Sequence, residues 1–342
     1  MHIEIGLLGF GTVGTGVYKL LELRREKIKK RTGFDVSIKK ILVRNPQKQR
    51  NVLFEKSLLT TNPEDILLDK NIDIIVEVMG GVHPAKEYIE KAIINGKDVV
   101  TANKELMAKH GLELLKLAES HGVSLKYEAT VAGAIPIIRQ IKQFTVTDDI
   151  YYIGGILNGT CNFILTQMSD NKWDYYTALK EAQRLGYAEA DPSYDVLGYD
   201  SMFKLKILIR EIFGAEMDVK DMEVEGIANI SRDDVEEAER NGCKIKLYAW
   251  AKKEGDKITA GVGPKLFDAN SIFSRVSGVE NAVLVKGDGF GQQLFVGYGA
   301  GQMPTGDAVL SDILDVINDY RFIRKISVDK TEYKNSFTTV AL

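Results

Sequence analysis

Two lysines and a group of carboxylates in this chain have the types and spacing needed to handle a proton beside a polar substrate. In Tyr187-Ala188-Glu189-Ala190-Asp191-Pro192-Ser193-Tyr194-Asp195-Val196-Leu197-Gly198-Tyr199-Asp200-Ser201-Met202-Phe203-Lys204, four acids and one lysine share an aromatic and apolar setting. A helix starting near Gly198 puts Asp200 and Lys204 one turn apart on one face, so the carboxylate can orient the ammonium. Glu189 and Asp195 come from the preceding loop, where they could meet a cationic substrate group. The same residues equally describe an acidic loop capping a helix that carries an ordinary ion pair. In Thr101-Ala102-Asn103-Lys104-Glu105 a strand gives way to a helix, so Lys104 projects from the carboxyl edge of a sheet, where open α/β folds place ligands. The helix dipole disfavours a lysine at that position; taken alone, Lys104 also suits a solvated surface. An ammonium within hydrogen-bond reach of a carbonyl can stabilise a developing alkoxide and protonate it. Only four histidines occur and none lies in these segments, so lysine is the better acid here.

The reaction partner is indicated at the N-terminus. Gly9-Phe10-Gly11-Thr12-Val13-Gly14 follows the apolar run Ile3-Glu4-Ile5-Gly6-Leu7-Leu8 and precedes Val17-Tyr18-Lys19-Leu20-Leu21, which has helical periodicity. Gly9 allows the tight turn, Gly11 lets a pyrophosphate approach the backbone, Gly14 permits close helix packing, and the helix N-terminus offers unpaired N–H groups to phosphate. The second strand ends Leu42-Val43-Arg44-Asn45. An acid there would accept from a ribose 2′-hydroxyl and repel a 2′-phosphate; Arg44, with Lys48 close by, favours NADP over NAD. Use of both cofactors stays open, as does an exposed arginine with no ligand.

The elements that must hold these groups alternate. Over the first 150 residues, strands at 36–43, 72–78, 98–101 and 124–127 are separated by helices at 84–95 and 105–121, closed by Gly96 and Gly122, which reads as a parallel sheet with crossover helices. Strands at 151–157, 244–252, 257–262, 282–286 and 294–296 stand around long helices in the second half, and a mixed sheet is expected there. A helix at 304–320 is expected to return to the first unit. The fold class is therefore α/β, an N-terminal Rossmann-type parallel sheet followed by a second α/β domain. The assigned division is an NAD(P)-binding domain at 1–135, joined by the C-terminal helix segment 304–342, and a substrate, catalytic and dimerisation domain at 136–303.

A chain of 342 residues exceeds what one core usually serves. Its 45 basic and 48 acidic residues are interspersed, which leaves no footprint for nucleic acid or an anionic membrane. Two cysteines, Cys161 and Cys243, are too few for a disulfide framework or zinc cluster and read as packing residues. With no leader pattern and no run of membrane-spanning length, a cytoplasmic location is expected.

Taken in order, the glycine turn, Thr101-Ala102-Asn103-Lys104, Tyr127-Glu128-Ala129-Thr130-Val131-Ala132-Gly133-Ala134-Ile135-Pro136, Gly155-Ile156-Leu157-Asn158-Gly159-Thr160-Cys161-Asn162, the stretch from Glu189 to Lys204, and Gly299-Ala300-Gly301 followed by Pro304-Thr305 resemble the homoserine dehydrogenases. The resemblance covers nearly the whole chain. It implies reversible, NAD(P)-dependent interconversion of L-aspartate 4-semialdehyde and L-homoserine in threonine and methionine biosynthesis. By the family's motif Lys204 is the catalytic lysine, Lys104 a second lysine beside the reacting oxygen and the cofactor, and Glu189 and Asp200 substrate-binding acids, with Asp195 suited to the substrate amino group. Other nucleotide contacts fall on Phe10, Thr12, Val13, Gly186 and Gly301. A monovalent cation, usually sodium, is implied at the backbone carbonyls of Glu128, Val131, Gly133 and Ile135; Gly133 replaces an alanine common in relatives, and its extra backbone freedom could loosen the site. A homodimer through the second domain's sheet is implied as well, and the run Ile245-Lys246-Leu247-Tyr248-Ala249-Trp250 could serve it or be an ordinary buried strand.

The working assignment makes Lys204 the general acid, with Lys104 polarising the carbonyl and the proximity of two ammonium groups lowering one pKa. The chain stops about twenty residues after Tyr320, so the regulatory domain of feedback-controlled members, and with it an allosteric threonine site, is not expected. Two competing readings are another NAD(P) oxidoreductase acting on a different amino or hydroxy acid, separable by turnover, and a dinucleotide sensor, which has no need of Lys104, Glu189, Asp200 and Lys204 together.

Overall fold

The computed structural model describes residues 2–319; the part of the expected C-terminal segment at 320–342 lies outside the described residues. β1 (His2–Leu8) buries Ile3, Ile5, Leu7 and Leu8 and passes through the glycine turn into α1 (Thr12–Thr32). There follow β2 (Asp35–Leu42), the two-residue β3 (Leu59–Thr60), the single turn α2 (Glu64–Leu67), β4 (Ile74–Glu77), α3 (Ala85–Ile94), β5 (Asp98–Thr101), α4 (Lys104–His121) and β6 (Leu125–Lys126). All six strands are parallel, in the order β3-β2-β1-β4-β5-β6. Strand order therefore reverses between β1 and β4, and a crevice opens over their carboxyl ends. Helices cover both faces, α3 and α4 on one and α1 on the other, which is why Ile74, Ile75, Val76, Val99 and Val100 are all apolar and all buried rather than alternating.

The second half contributes α5 (Ile137–Thr147), β7 (Ile150–Ile156), α6 (Gly159–Asp170), α7 (Tyr175–Arg184), the single turn α8 (Ser193–Val196), α9 (Tyr199–Phe213), β8 (Glu223–Val224), α10 (Arg232–Arg240), the hairpin of β9 (Cys243–Glu254) and β10 (Lys257–Asp268), the single turn α11 (Ile272–Arg275), and a second hairpin of β11 (Glu280–Gly287) and β12 (Gly291–Tyr298). Its sheet has the order β12-β11-β7-β9-β10-β8, antiparallel except for β8 on β10, so it is mixed as expected. The run from Ile245 to Trp250 alternates: Leu247 and Ala249 join the core beneath the helices, while Tyr248 and Trp250 face the other side with Tyr152, Leu284 and Leu294. β10 extends six residues past the expected strand because its pairing with β9 runs the full length of both strands. β3 and β8 are too short to carry a readable period.

α12 (Gln302–Asp319) returns to the first sheet, burying Val309, Ile313, Val316 and Ile317 beside α1. The two helices touch through glycine: a Cβ at Gly16 would lie 2.0 Å from the Gln302 carbonyl oxygen, and one at Gly306 would lie 2.8 Å from the Gly16 carbonyl carbon. Among the described residues no helix is long and apolar enough to cross a membrane.

Candidate active site

Asp200 lies in the first turn of α9 and is 2% exposed. Its two carboxylate oxygens are divided between the two lysines. Lys204, one helical turn on, donates to Asp200 Oδ2 at 2.7 Å and to the Leu157 carbonyl at 2.7 Å, while Lys104 pairs with Oδ1 from the first position of α4. An ammonium has three donors, so Lys204 keeps one that is not committed to a partner among the described residues. Asn158 completes the cluster, its Nδ2 reaching Asp195 Oδ1 at 2.7 Å and Asp200 Oδ2 at 2.8 Å. The same side chain caps α6 by accepting from Cys161 N–H at 2.7 Å. Asn158 was visible only as part of a motif, and its clamping role required residues 37 and 42 positions away.

Burial alone would push the Asp200 carboxyl up, but the Lys104 and Lys204 ammonium groups outweigh it and hold it well below the usual range. In return the Asp200 charge raises Lys104, against the opposing effect of burial and with help from Asp195 and Glu189. The anticipated depression does not occur at Lys104, because a carboxylate sits between the two ammonium groups and screens them from each other. Asp195 is pushed up, first by burial and then by the Asp200 charge, with the Asn158 amide opposing. Glu189 is exposed, and its carboxylate has no hydrogen-bond or ion-pair partner among the described residues. Cys161 is buried beneath the cluster, its thiol pushed well up by burial, and it behaves as the packing residue expected.

The lysine separation is set by helix packing. Arg210 of α9 donates to the Met107 carbonyl of α4 at 2.8 Å, and it can approach because Gly111 faces it: a Cβ there would lie 2.4 Å from Arg210 Nη1. Asn103 caps α4 by accepting from Leu106 N–H at 3.1 Å.

A cavity of about 430 Å³ opens over the carboxyl ends of β1 and β2, lined by Gly9, Phe10, Gly11, Arg44, Lys48 and Arg50 among others, with no acid on its wall among the described residues. Gly9 has φ +107°, a Cβ at Gly14 would strike the Gly9 carbonyl oxygen at 2.3 Å, and Gly11 faces open space. α1 has no side-chain cap and no acid in its first turn, so the N–H groups of Thr12, Val13 and Gly14 remain available to an anion. The Phe10 side chain is buried against Tyr18 and Phe54. Arg44 and Lys48 are exposed and neither pairs with an acid among the described residues. Arg50 was not anticipated: it donates to the carbonyls of Lys48 at 2.9 Å and Asn45 at 3.1 Å and lies over the Phe10 ring, pinning the loop that carries Arg44 and Lys48. A lone arginine in an irregular loop gives no sequence signal. Gly301 lies just ahead of Gln302, beside α1, and Gly186 follows α7; neither lines the cavity.

The Glu128 to Ile135 loop is tightly wound. Ala132 and Gly133 both have φ +55°, and a Cβ at Gly133 would lie 2.5 Å from the Gly299 carbonyl carbon. Glycine at this position permits close packing on Gly299. The carbonyls of the buried residues Val131 and Gly133 accept no hydrogen bond among the described residues, whereas those of Glu128 and Ile135 each accept one. Buried carbonyls in that state are a donor set suited to a hard cation. The Glu128 side chain is engaged elsewhere, capping α5 through Ile138 N–H at 2.7 Å and Arg139 N–H at 2.9 Å.

Comparison with known proteins agrees with this architecture. Residues 9–128 match the family model of the homoserine dehydrogenase NAD-binding domain, and 136–314 match that of homoserine dehydrogenase itself. The chain is 43% identical to the homoserine dehydrogenase of Bacillus subtilis over 93% of its own length and 74% of the relative's, and 41% identical to that of Helicobacter pylori over 92% and 74%. A solved homoserine dehydrogenase from Thiobacillus denitrificans has a TM-score of 0.88 at 43% identity, over 94% of this chain and 74% of that one. A hyperthermophilic archaeal homoserine dehydrogenase in complex with NADPH has a TM-score of 0.79 at 25% identity, over 95% and 99%. With matches that span both sheets and most of its length, the chain belongs to the homoserine dehydrogenase family.

Proposed function

We propose that this protein catalyses the reversible, NADPH-dependent reduction of L-aspartate 4-semialdehyde to L-homoserine, a step toward threonine and methionine, with Lys204 as general acid and Lys104 polarising the carbonyl. The observation that carries the reading is the single buried carboxylate shared by two lysines, one of which keeps a free donor. A bound reduced nicotinamide supplies the hydride to the aldehyde carbon. Lys204 Nζ holds the proton for the oxygen that becomes the alcohol, and Lys104, half-exposed at the mouth, meets the same oxygen from the other side. Asp195 and Glu189 face the substrate ammonium. The glycine turn and the first turn of α1 hold the pyrophosphate, with Gly186 and Gly301 completing the nucleotide site. Residues 1–135 with the C-terminal helix form the cofactor unit, and 136–303 the substrate unit.

The acid-free wall with Arg44, Lys48 and Arg50 supports NADP. In assays of cofactor oxidation with the semialdehyde, native protein is expected to prefer NADPH to NADH. Arg44→Ala should raise KM for NADPH by about 10-fold, the size of a lost charge-assisted contact, and leave KM for NADH within about twofold. Equal effects on both cofactors would remove Arg44 from the 2′-phosphate site, and no turnover with either would remove the reaction. Sodium at the carbonyls of Glu128, Val131, Gly133 and Ile135 is supported by the two buried carbonyls that lack donors.

A homodimer through the open face of the second sheet is supported by Trp250, Tyr152, Leu284 and Leu294, which are only partly buried, and by exposed Val296 and Tyr298 beside them. Trp250→Glu is expected to convert a dimer to a monomer in light scattering. A dimer of unchanged dissociation constant would exclude this face.

A further inference from the structure

Glu77 ends β4 and is completely buried, yet it belongs neither to the lysine cluster nor to the cavity lining. Its Oε1 accepts from Met79 N–H at 2.7 Å and its Oε2 from the Thr101 hydroxyl at 2.6 Å. The Thr101 oxygen accepts from Asn103 N–H at 3.0 Å, and the Asn103 side chain both caps α4 and donates to the Gly81 carbonyl at 2.6 Å. Glu77 and Thr101 are register partners on neighbouring strands, so the geometry is fixed by the sheet itself.

Two segments hang from this one carboxylate. On one side Val78 and Met79 wall the cofactor cavity, and the Val78 carbonyl packs against the glycine turn, where a Cβ at Gly9 would come within 2.9 Å of it. On the other side Asn103 is followed directly by Lys104. Burying a carboxyl without a cation is costly. Burial pushes the Glu77 carboxyl up, while the surrounding donors oppose this, and no cationic side chain forms an ion pair with it among the described residues. Met79 N–H and the Thr101 hydroxyl both require an acceptor here, and a single carboxylate reaches both segments at once.

We propose that Glu77 is a positioning residue for the reaction, holding the wall of the cofactor cleft and the start of the Lys104 helix in one relation so that both meet the same substrate atom. The proposal rests on the reading of Lys104 given above. Glu77→Gln preserves size and leaves one acceptor. It is expected to lower kcat about 10- to 100-fold, the scale of an ångström-sized misplacement, with KM for the cofactor changed less than about threefold. In a Lys104→Ala background the same substitution is expected to cost no more than about twofold, because residues that act as a unit are not additive. Thr101→Val, which removes the hydroxyl link and keeps Glu77, is expected to show the same coupling and serves if Glu77→Gln does not fold. A kcat within about twofold of native, or an equal loss in both backgrounds, overturns the proposal. Unchanged turnover in Lys104→Ala alone overturns it too, and traces the failure to Lys104 rather than to Glu77.

Discussion

Lys204→Ala is expected to lower kcat for semialdehyde reduction by about 10²- to 10⁴-fold, the range lost when a positioned general acid is removed. Two of the three donors of Lys204 are committed to Leu157 and Asp200, so the third is held at a defined place by a side chain 9% exposed. A proton drawn from bulk water would lack that placement. Asp200 keeps Lys104 as a partner in the variant, so the protein should fold, with a loss of about 1–3 kcal/mol from the Leu157 carbonyl left without its donor. Turnover and a thermal melt on the same sample separate the two effects. If Lys204→Ala retains near-native turnover while Lys104→Ala abolishes it, the lysine roles are exchanged.

The second large effect is expected from Asp200→Asn. Among the described residues the carboxylate is the one group paired with both lysines, and an amide can accept from one while turning its own N–H groups on the other. A fall in kcat/KM of about 10²- to 10³-fold is expected, with a stability loss of roughly 3–5 kcal/mol near neutral pH, as when one partner of a buried ion pair is removed. The pH signature is more specific. Asp200 holds Lys104 up, so the asparagine variant removes that support, the Lys104 pKa falls, and the alkaline limb of the kcat/KM profile moves to lower pH. Because the folded Asp200 carboxyl lies well below its ordinary value of 3.8, its stabilisation is present above that value and is lost as pH falls through the folded one. The melting difference between native protein and variant should therefore shrink only in strong acid. An alkaline limb that stays put or moves upward would contradict the shared-carboxylate arrangement.

Local patterns account for much of this molecule. β5 was read to the residue, and α3 and α4 to within a residue at each end, because their apolar periods and glycine stops are written in consecutive positions. The glycine turn is legible for the same reason: strand, turn and helix are contiguous, Gly9 and Gly14 have steric duties within the turn or against the loop after β4, and Gly11 leaves the space in front of it open. The pairing of Asp200 with Lys204 followed from helical spacing alone. Arg44 and Lys48 were placed because they follow directly from the end of a strand.

What spacing could not supply lies across the chain. Lys104 and Asp200 are 96 positions apart and meet only because α4 packs on α9 through Gly111 and Arg210. That contact raises Lys104, since the sign of a pKa shift depends on which charge stands nearest and only folding decides it. Asn158, Arg50 and Glu77 look unremarkable in isolation, and each matters through partners on distant elements. Most of the elements, the dinucleotide turn, the family and the inventory of reactive groups are written in the order of residues, because those depend on neighbours along the chain. The tertiary structure decided which carboxylate serves which lysine and where the free donors point, because hydrogen bonds and charges act through space.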